Sequence, residues 1–154
     1  MKEIIGIIVA IIFLSSCTNT KKAENENKSD YENKITQSES NQTELILQKI
    51  LDLPDLQWIY HSELKERLPV KILESKLIDK TYNLNKFEQK VKILSLAELK
   101  KEGIKDYIIF EKLEIKTDTI DFKLHYEIEG AGSSGKFVIK NEKWIIFEYS
   151  VWEN

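Results

Sequence analysis

Over the last fifty residues, side-chain alternation and charge placement share one period of two, and only paired strands satisfy both together. A first strand is expected from Tyr107 to Thr117 and a second from Ile120 to Glu129. With Asp118-Thr119 as a two-residue turn, Ile115 faces Phe122, Leu113 faces Leu124 and Ile109 faces Ile128 on a packed side. That side carries Glu111 and Tyr126 as its only polar side chains. On the other side Lys116 meets Asp121 and Glu114 meets Lys123, and a slip of one residue destroys both patterns at once. A third strand, Lys136 to Lys140, follows a Gly130–Gly135 loop and sets Phe137 against Ile128, Ile139 against Tyr126 and Lys136 against Glu129. The fourth, Trp144 to Trp152, is apolar on both sides. A three-residue turn, Asn141 to Lys143, sends Ile145, Phe147, Tyr149 and Val151 to the packed face. Trp144, Ile146 and Trp152 then join Val138 on the charged one, and a two-residue turn at Asn141-Glu142 swaps these sets. Such a patch needs a cover: first the segment Leu53 to Leu73, then a second copy of the chain, then a ligand.

Upstream, Thr43 reads as an N-cap with Glu44 in the first turn, and Leu45, Ile46, Leu47, Ile50 and Leu51 give the apolar stripe of a short helix stopped before Pro54. Trp58-Ile59-Tyr60 and Pro69 to Leu73 read as extended pieces, Ser62 to Arg67 as a turn or two of helix, and Val91 to Leu94 as a strand. Ser95-Leu96-Ala97-Glu98 is a capping box that opens a short helix ending at Gly103. The expectation is one α+β domain over residues 43–154, with an N-terminal helix and short helices packed on a curved antiparallel sheet that ends in a four-stranded meander. This order, closed by Phe137-Val138-Ile139-Lys140-Asn141-Glu142-Lys143-Trp144, resembles the nuclear transport factor 2-like and cystatin-like superfamily in topology. The resemblance implies helices across a concave sheet face with a pocket between them. It implies no function, because that fold hosts enzymes, binding modules and dimerisation domains alike.

The N-terminus carries a different signal. Eleven apolar residues, Ile4 to Leu14, lead into Leu14-Ser15-Ser16-Cys17, and Cys17 is the only cysteine in the chain. At 1.5 Å per residue the run covers roughly 17 Å of a bilayer core about 30 Å thick, so it is a targeting segment and not a span. It resembles the lipobox signal of bacterial lipoproteins. The resemblance implies that residues 1–16 are removed and that Cys17 is acylated, palmitate among its chains. Two or three chains anchor durably where one does not. From residue 17 to 42 the composition turns to Lys, Glu, Asn, Ser, Thr and Gln, which reads as a disordered tether. Thr18 is not the aspartate that retains such proteins at an inner membrane, so the expected location is the cell envelope and, in a two-membrane bacterium, the outer membrane. Lys21-Lys22-Ala23-Glu24 faintly resembles a surface-export tag.

With 23 basic against 26 acidic residues and no basic cluster, nucleic-acid binding has no electrostatic support. No cofactor motif is present, and a metal site from His61, His125 and a carboxylate would require a coincidence of folding. His125 falls between Lys123 and Glu127 on the charged face. His61 beside Ser62, with Asp55 and Glu63 near, has the residue types of a base and nucleophile but no strand-turn-helix elbow. The glycines from Gly130 to Gly135 join two strands, so they read as a flexible loop rather than a phosphate cradle. Trp58 is expected in the core, and Trp144 either there or on a ligand platform. Two classes of function remain. The first is a binding module engaging a small ligand, an envelope protein or a toxin that it neutralises. The second is a small hydrolase or isomerase, and Trp144, Tyr126 and Glu111 are the ligand-site candidates. Convergence of Glu111, Tyr126 and one histidine to within about 3–4 Å in a cavity would favour the enzyme, and their separation binding.

Overall fold

Two apolar stripes of different period meet to make the core. In the computed structural model, which describes residues 41–153, residues 41–51 form helix α1, and Ile46, Leu47, Ile50 and Leu51 are all fully buried along one face. Leu45 points outward, and Thr43 lies inside the helix because residues 41 and 42 are already helical, so it is not the N-cap. Pro54 then starts a 3₁₀ helix, Pro54–Tyr60. Its side chains close the end of α1: the Tyr60 hydroxyl donates to the Leu51 carbonyl at 3.1 Å, and Gln57 Nε2 to the carbonyls of Leu51 and Leu53 at 3.2 and 2.7 Å. The extended reading of Trp58-Ile59-Tyr60 is therefore corrected. In this 3₁₀ helix Ile59 and Tyr60 are buried and Trp58 is 45 % exposed, not in the core.

Strand β1 is Lys71–Leu73, β2 and β3 are Asn85–Lys86 and Gln89–Lys90, and β4 is Lys92–Leu94. Helix α2, Leu96–Glu102, follows. Its Ser95–Glu98 capping box is complete, and Gly103 ends it in the left-handed conformation. Strands β5, Ile108–Ile115, β6, Thr119–Tyr126, β7, Ala131–Lys140, and β8, Lys143–Glu153, complete a six-stranded sheet in the order β4-β1-β5-β6-β7-β8. The fold is α+β. The sheet is mixed rather than antiparallel throughout, because β1 runs parallel to both β4 and β5, while each of β5 to β8 is antiparallel to the next. Among the described residues no helix is long and apolar enough to cross a membrane. The signal segment, Cys17 and the stretch read as a tether lie outside the described residues.

The registers differ from the sequence expectation in four places. Thr117-Asp118 is the first turn, closed by the Lys116 amide on the Thr119 carbonyl, so Ile115 pairs with Ile120 and Leu113 with Phe122. This leaves Glu114 opposite Asp121 and Lys112 opposite Lys123. Like charges face each other, yet cross-strand charge is worth about 0.2–1 kcal/mol. In exchange Ile120, fully buried on the packed face, lies opposite Ile115 rather than Thr117, an apolar pair in place of a mixed one. Next, a bulge at Glu111 reverses the alternation, so Ile108 and Phe110 face the core and Glu111, expected on the packed side, stands on the open one. Third, β6 ends at Tyr126 and passes into a 3₁₀ turn, Glu127–Glu129, so Ile128 is exposed and pairs with neither Ile109 nor Phe137.

The fourth difference is the glycine segment, which is strand and not loop: within β7, Ala131 to Val138 pair with β6, and Phe137 lies opposite Ile120. Asn141-Glu142 is then a two-residue turn with positive φ at both residues. Trp144 and Ile146 therefore face the core, until a bulge at Phe147 returns Tyr149 and Val151 to that side. Ile145 and Phe147 point outward, 40 % and 65 % exposed. Residues 53–73 do not cover them, since Leu56, Ile59, Tyr60 and Ile72 from that segment belong to the core with Phe122 and Leu124.

These faces predict an ordering in urea denaturation. Leu124→Ala should lose about 2–5 kcal/mol and Lys123→Ala under about 1. Ile146→Glu should be the more damaging of the pair Ile146→Glu and Ile145→Glu. Equal tolerance of the two glutamates would contradict the two-residue turn.

Candidate functional site

Strand β6 ends between two polar clusters, because His125 and Tyr126 are consecutive and point to opposite faces. On the packed side the Tyr126 ring is buried, with the Arg67 guanidinium 6.0 Å from its centroid. Burial is the main reason that the Tyr126 hydroxyl is pushed above its ordinary pKa. The 3₁₀ turn after β6 swings Glu129 back so that Oε1 lies 2.5 Å from Arg67 Nη2 and Oε2 3.2 Å from His61 Nε2. His61 Nδ1 lies 2.8 Å from Glu63. Lys71, 7 % exposed, completes the group on Asp106 at 2.7 Å while donating to the carbonyls of Glu66 and Arg67. Opposite charges here compensate one another, which suits a clasp between the 3₁₀ segments and the sheet. The base-and-nucleophile reading of His61 is corrected: both its ring nitrogens face carboxylates rather than Ser62, and Asp55 accepts from the Tyr149 hydroxyl at 2.8 Å.

On the open side a different constellation lines a hollow of about 340 Å³, with Glu111, Lys123, His125, Glu127 and Trp152 among its walls. The β5 bulge carries Glu111 over β6, where its carboxylate lies 2.6 Å from Lys123 Nζ and 2.9 Å from His125 Nδ1. The Lys123 hydrogen bond first, and the charges of Lys123 and His125 with it, hold the Glu111 carboxyl below the usual range. On β7, Gly132 lies between His125 and Trp152 in the pairing. A Cβ there would stand only 2.7 Å from the Trp152 ring atom Cε2, and closer still to Cζ2. The indole therefore rests on bare backbone and reaches across β7 toward β6.

Of the candidates read from the sequence, Glu111 is in this hollow, although on the face opposite to that expected. Tyr126 borders it while its ring stays in the core. Trp144 packs on the core side of β8, eight residues from Trp152, or roughly 26 Å along a strand. Sequence reasoning missed Trp152 and Lys123. A glycine paired with an aromatic residue on the next strand is the sign that would have located the indole. Among the described residues no group of three or more His, Cys, Asp or Glu is placed to hold a metal ion. No protein-family profile, curated protein or solved structure matches the chain.

The His61 contacts predict a pH dependence. The Glu63 hydrogen bond first, with Glu129 added, raises the His61 pKa above its ordinary value, against a smaller opposing effect of burial. The stabilisation is then complete below the unfolded-state pKa of about 6.5 and disappears as pH rises through the higher folded value. Urea midpoints at several pH values should show His61→Gln least stable relative to wild type at the acid end, with the gap narrowing toward alkaline pH. A gap that widens with pH would contradict the contact.

Proposed function

We propose that this chain is a bacterial lipoprotein, acylated on Cys17 after removal of residues 1–16 and held in the cell envelope, whose α+β domain is a ligand- or protein-binding module. In a two-membrane bacterium the outer membrane is its site. The observation that carries the binding role is the open-face hollow, where a fixed indole faces a carboxylate, an ammonium and an imidazole. The fold reading that accompanies it is a curved sheet with a closing four-stranded meander and the N-terminal helix across it, on the nuclear transport factor 2-like plan. The exposed Ile145 and Phe147 of edge strand β8 give a second copy or an envelope protein a place to rest. Neutralising a toxin is one role that such a module would serve.

The alternative, a small hydrolase or isomerase, finds an acid-base pair in Glu111 and His125. Binding is the better supported, because both partners of Glu111 stabilise its charge and make it a poor proton donor, and the Tyr126 ring lies in the core. The test has two arms. A clickable fatty acid fed to cells should label the wild type and not Cys17→Ala, and equal labelling of both removes the lipoprotein assignment. Affinity capture from native membranes should enrich an envelope component with the wild type that is lost with Glu111→Lys. Identical captured material from both removes the hollow as the binding site.

A further inference from the structure

We infer that the open-face hollow takes a neutral pyranose ring, as a single sugar or one unit of an envelope glycan. The inference rests on the reading of the hollow as a ligand site and adds the class of ligand. Three features select it. The first is the wall. Because Gly132 carries no side chain, the Trp152 indole lies directly over the β7 backbone and is held there. A pre-positioned aromatic surface presents a flat apolar face at little entropic cost. A pyranose has such a face in its axial C–H bonds, with its hydroxyls directed outward around the ring.

The second feature is the mixture of hydrogen-bonding groups around that wall. Glu111 and Glu127 accept, Lys123 donates, and His125 does either according to its tautomer. A hydroxyl donates one hydrogen bond and accepts others, so vicinal hydroxyls match alternating acceptors and donors. A phosphate or carboxylate only accepts and matches half of the set. The third feature is charge. Two carboxylates face one ammonium, so the lining is net acidic and repels an anion, while the two N–H bonds of Lys123 not engaged by Glu111 stay available to hydroxyls. The neighbouring Lys112 is itself 3.4 Å from Glu114. A cationic amine is less well served than a sugar, because the Lys123 ammonium in the same hollow repels it and a single indole does not make an aromatic cage. The volume of about 340 Å³ lies at the small end of ligand pockets, which suits one or two rings rather than a chain threaded through the protein.

The full-length protein, purified in a detergent without a sugar headgroup such as lauryldimethylamine oxide, is titrated with maltotriose and with the N-acetylglucosamine trimer, and with glucose 6-phosphate and spermidine as comparisons. Saturation-transfer NMR and tryptophan fluorescence report binding. The expected result is transfer to ring C–H protons of at least one neutral oligosaccharide, weakened about tenfold or more by Trp152→Ala and by Glu111→Gln, and unchanged by Leu45→Ala, which alters an exposed side chain of α1 outside the hollow. Glu111→Gln removes an exposed charge, so it keeps the test decisive even where Trp152→Ala does not fold. The inference is overturned by failure of both neutral sugars to bind the wild type, by binding that survives both site variants, or by tighter binding of spermidine or glucose 6-phosphate. If membrane capture still depends on Glu111 while neither sugar binds, the ligand class is wrong and the binding site stands. If capture is independent of Glu111 as well, both fall.

Discussion

Strand β7 must be bare at two points, once on each face, and most of the domain's shape follows from that. On the open face a Cβ at Gly132 would enter the Trp152 ring and approach the Leu124 carbonyl at 2.7 Å. On the packed face a Cβ at Gly135 would meet the Glu148 carbonyl and Tyr149 Cβ at 2.6 Å and Phe122 Cε1 at 2.8 Å. The carbonyl oxygens and the Tyr149 Cβ among these cannot yield by a rotamer change, and the rings could do so only by leaving their places. Glycine in a strand is intrinsically unfavourable by about 0.5–1 kcal/mol, so its presence at both points is offset by what the neighbours gain. Gly135 lets Phe122, 2 % exposed, and Tyr149 close over the core, and Tyr149 in turn reaches Asp55 on the 3₁₀ helix. Gly132 lets Trp152 form the wall of the hollow.

The two bulges act in concert with these glycines. Each inserts one residue and so exchanges the faces beyond it. At Glu111 the exchange sends Ile108 and Phe110 into the core and brings a carboxylate above Lys123 and His125. At Phe147 it allows Trp144 and Ile146 at one end of β8, and Tyr149 and Val151 at the other, to pack on the same side, and it leaves Trp152 on the open face with His125. Without either bulge the alternation would carry Glu111 into the core or Trp152 away from Gly132. The hollow is thus a consequence of backbone irregularity rather than of any local sequence motif.

That origin explains what could be read from the chain and what could not. The capping box Ser95–Glu98, the Gly103 stop, the buried stripe from Ile46 to Leu51 and the placement of His125 on the charged face all rest on interactions within a few residues or on simple alternation. The Thr117-Asp118 turn, by contrast, pairs Ile120 with Ile115 and gives up the cross-strand charge pairs that favour the other register, a choice that charge placement alone does not reveal. A glycine-rich run between two strands is ambiguous until the aromatic side chains of the neighbouring strands are known to cross it. The chemistry of Glu111 marks it in the sequence, but simple alternation puts it on the wrong face, because one extra residue in a strand leaves no mark in composition. The Arg67–Glu129–His61 clasp joins segments more than sixty residues apart, and no periodicity could have linked them.

The central claim is that the indole of Trp152 lies on Gly132, next to His125, on the open face of the sheet. Proton–proton NOEs measured on the full-length protein test it directly. Cross-peaks from the Trp152 ring protons to both Gly132 α-protons, with a Gly132 α-proton to His125 ring contact beside them, are the predicted result. Trp152 ring cross-peaks to Tyr126 or Phe122, whose rings belong to the core, would place the indole on the packed face and contradict it.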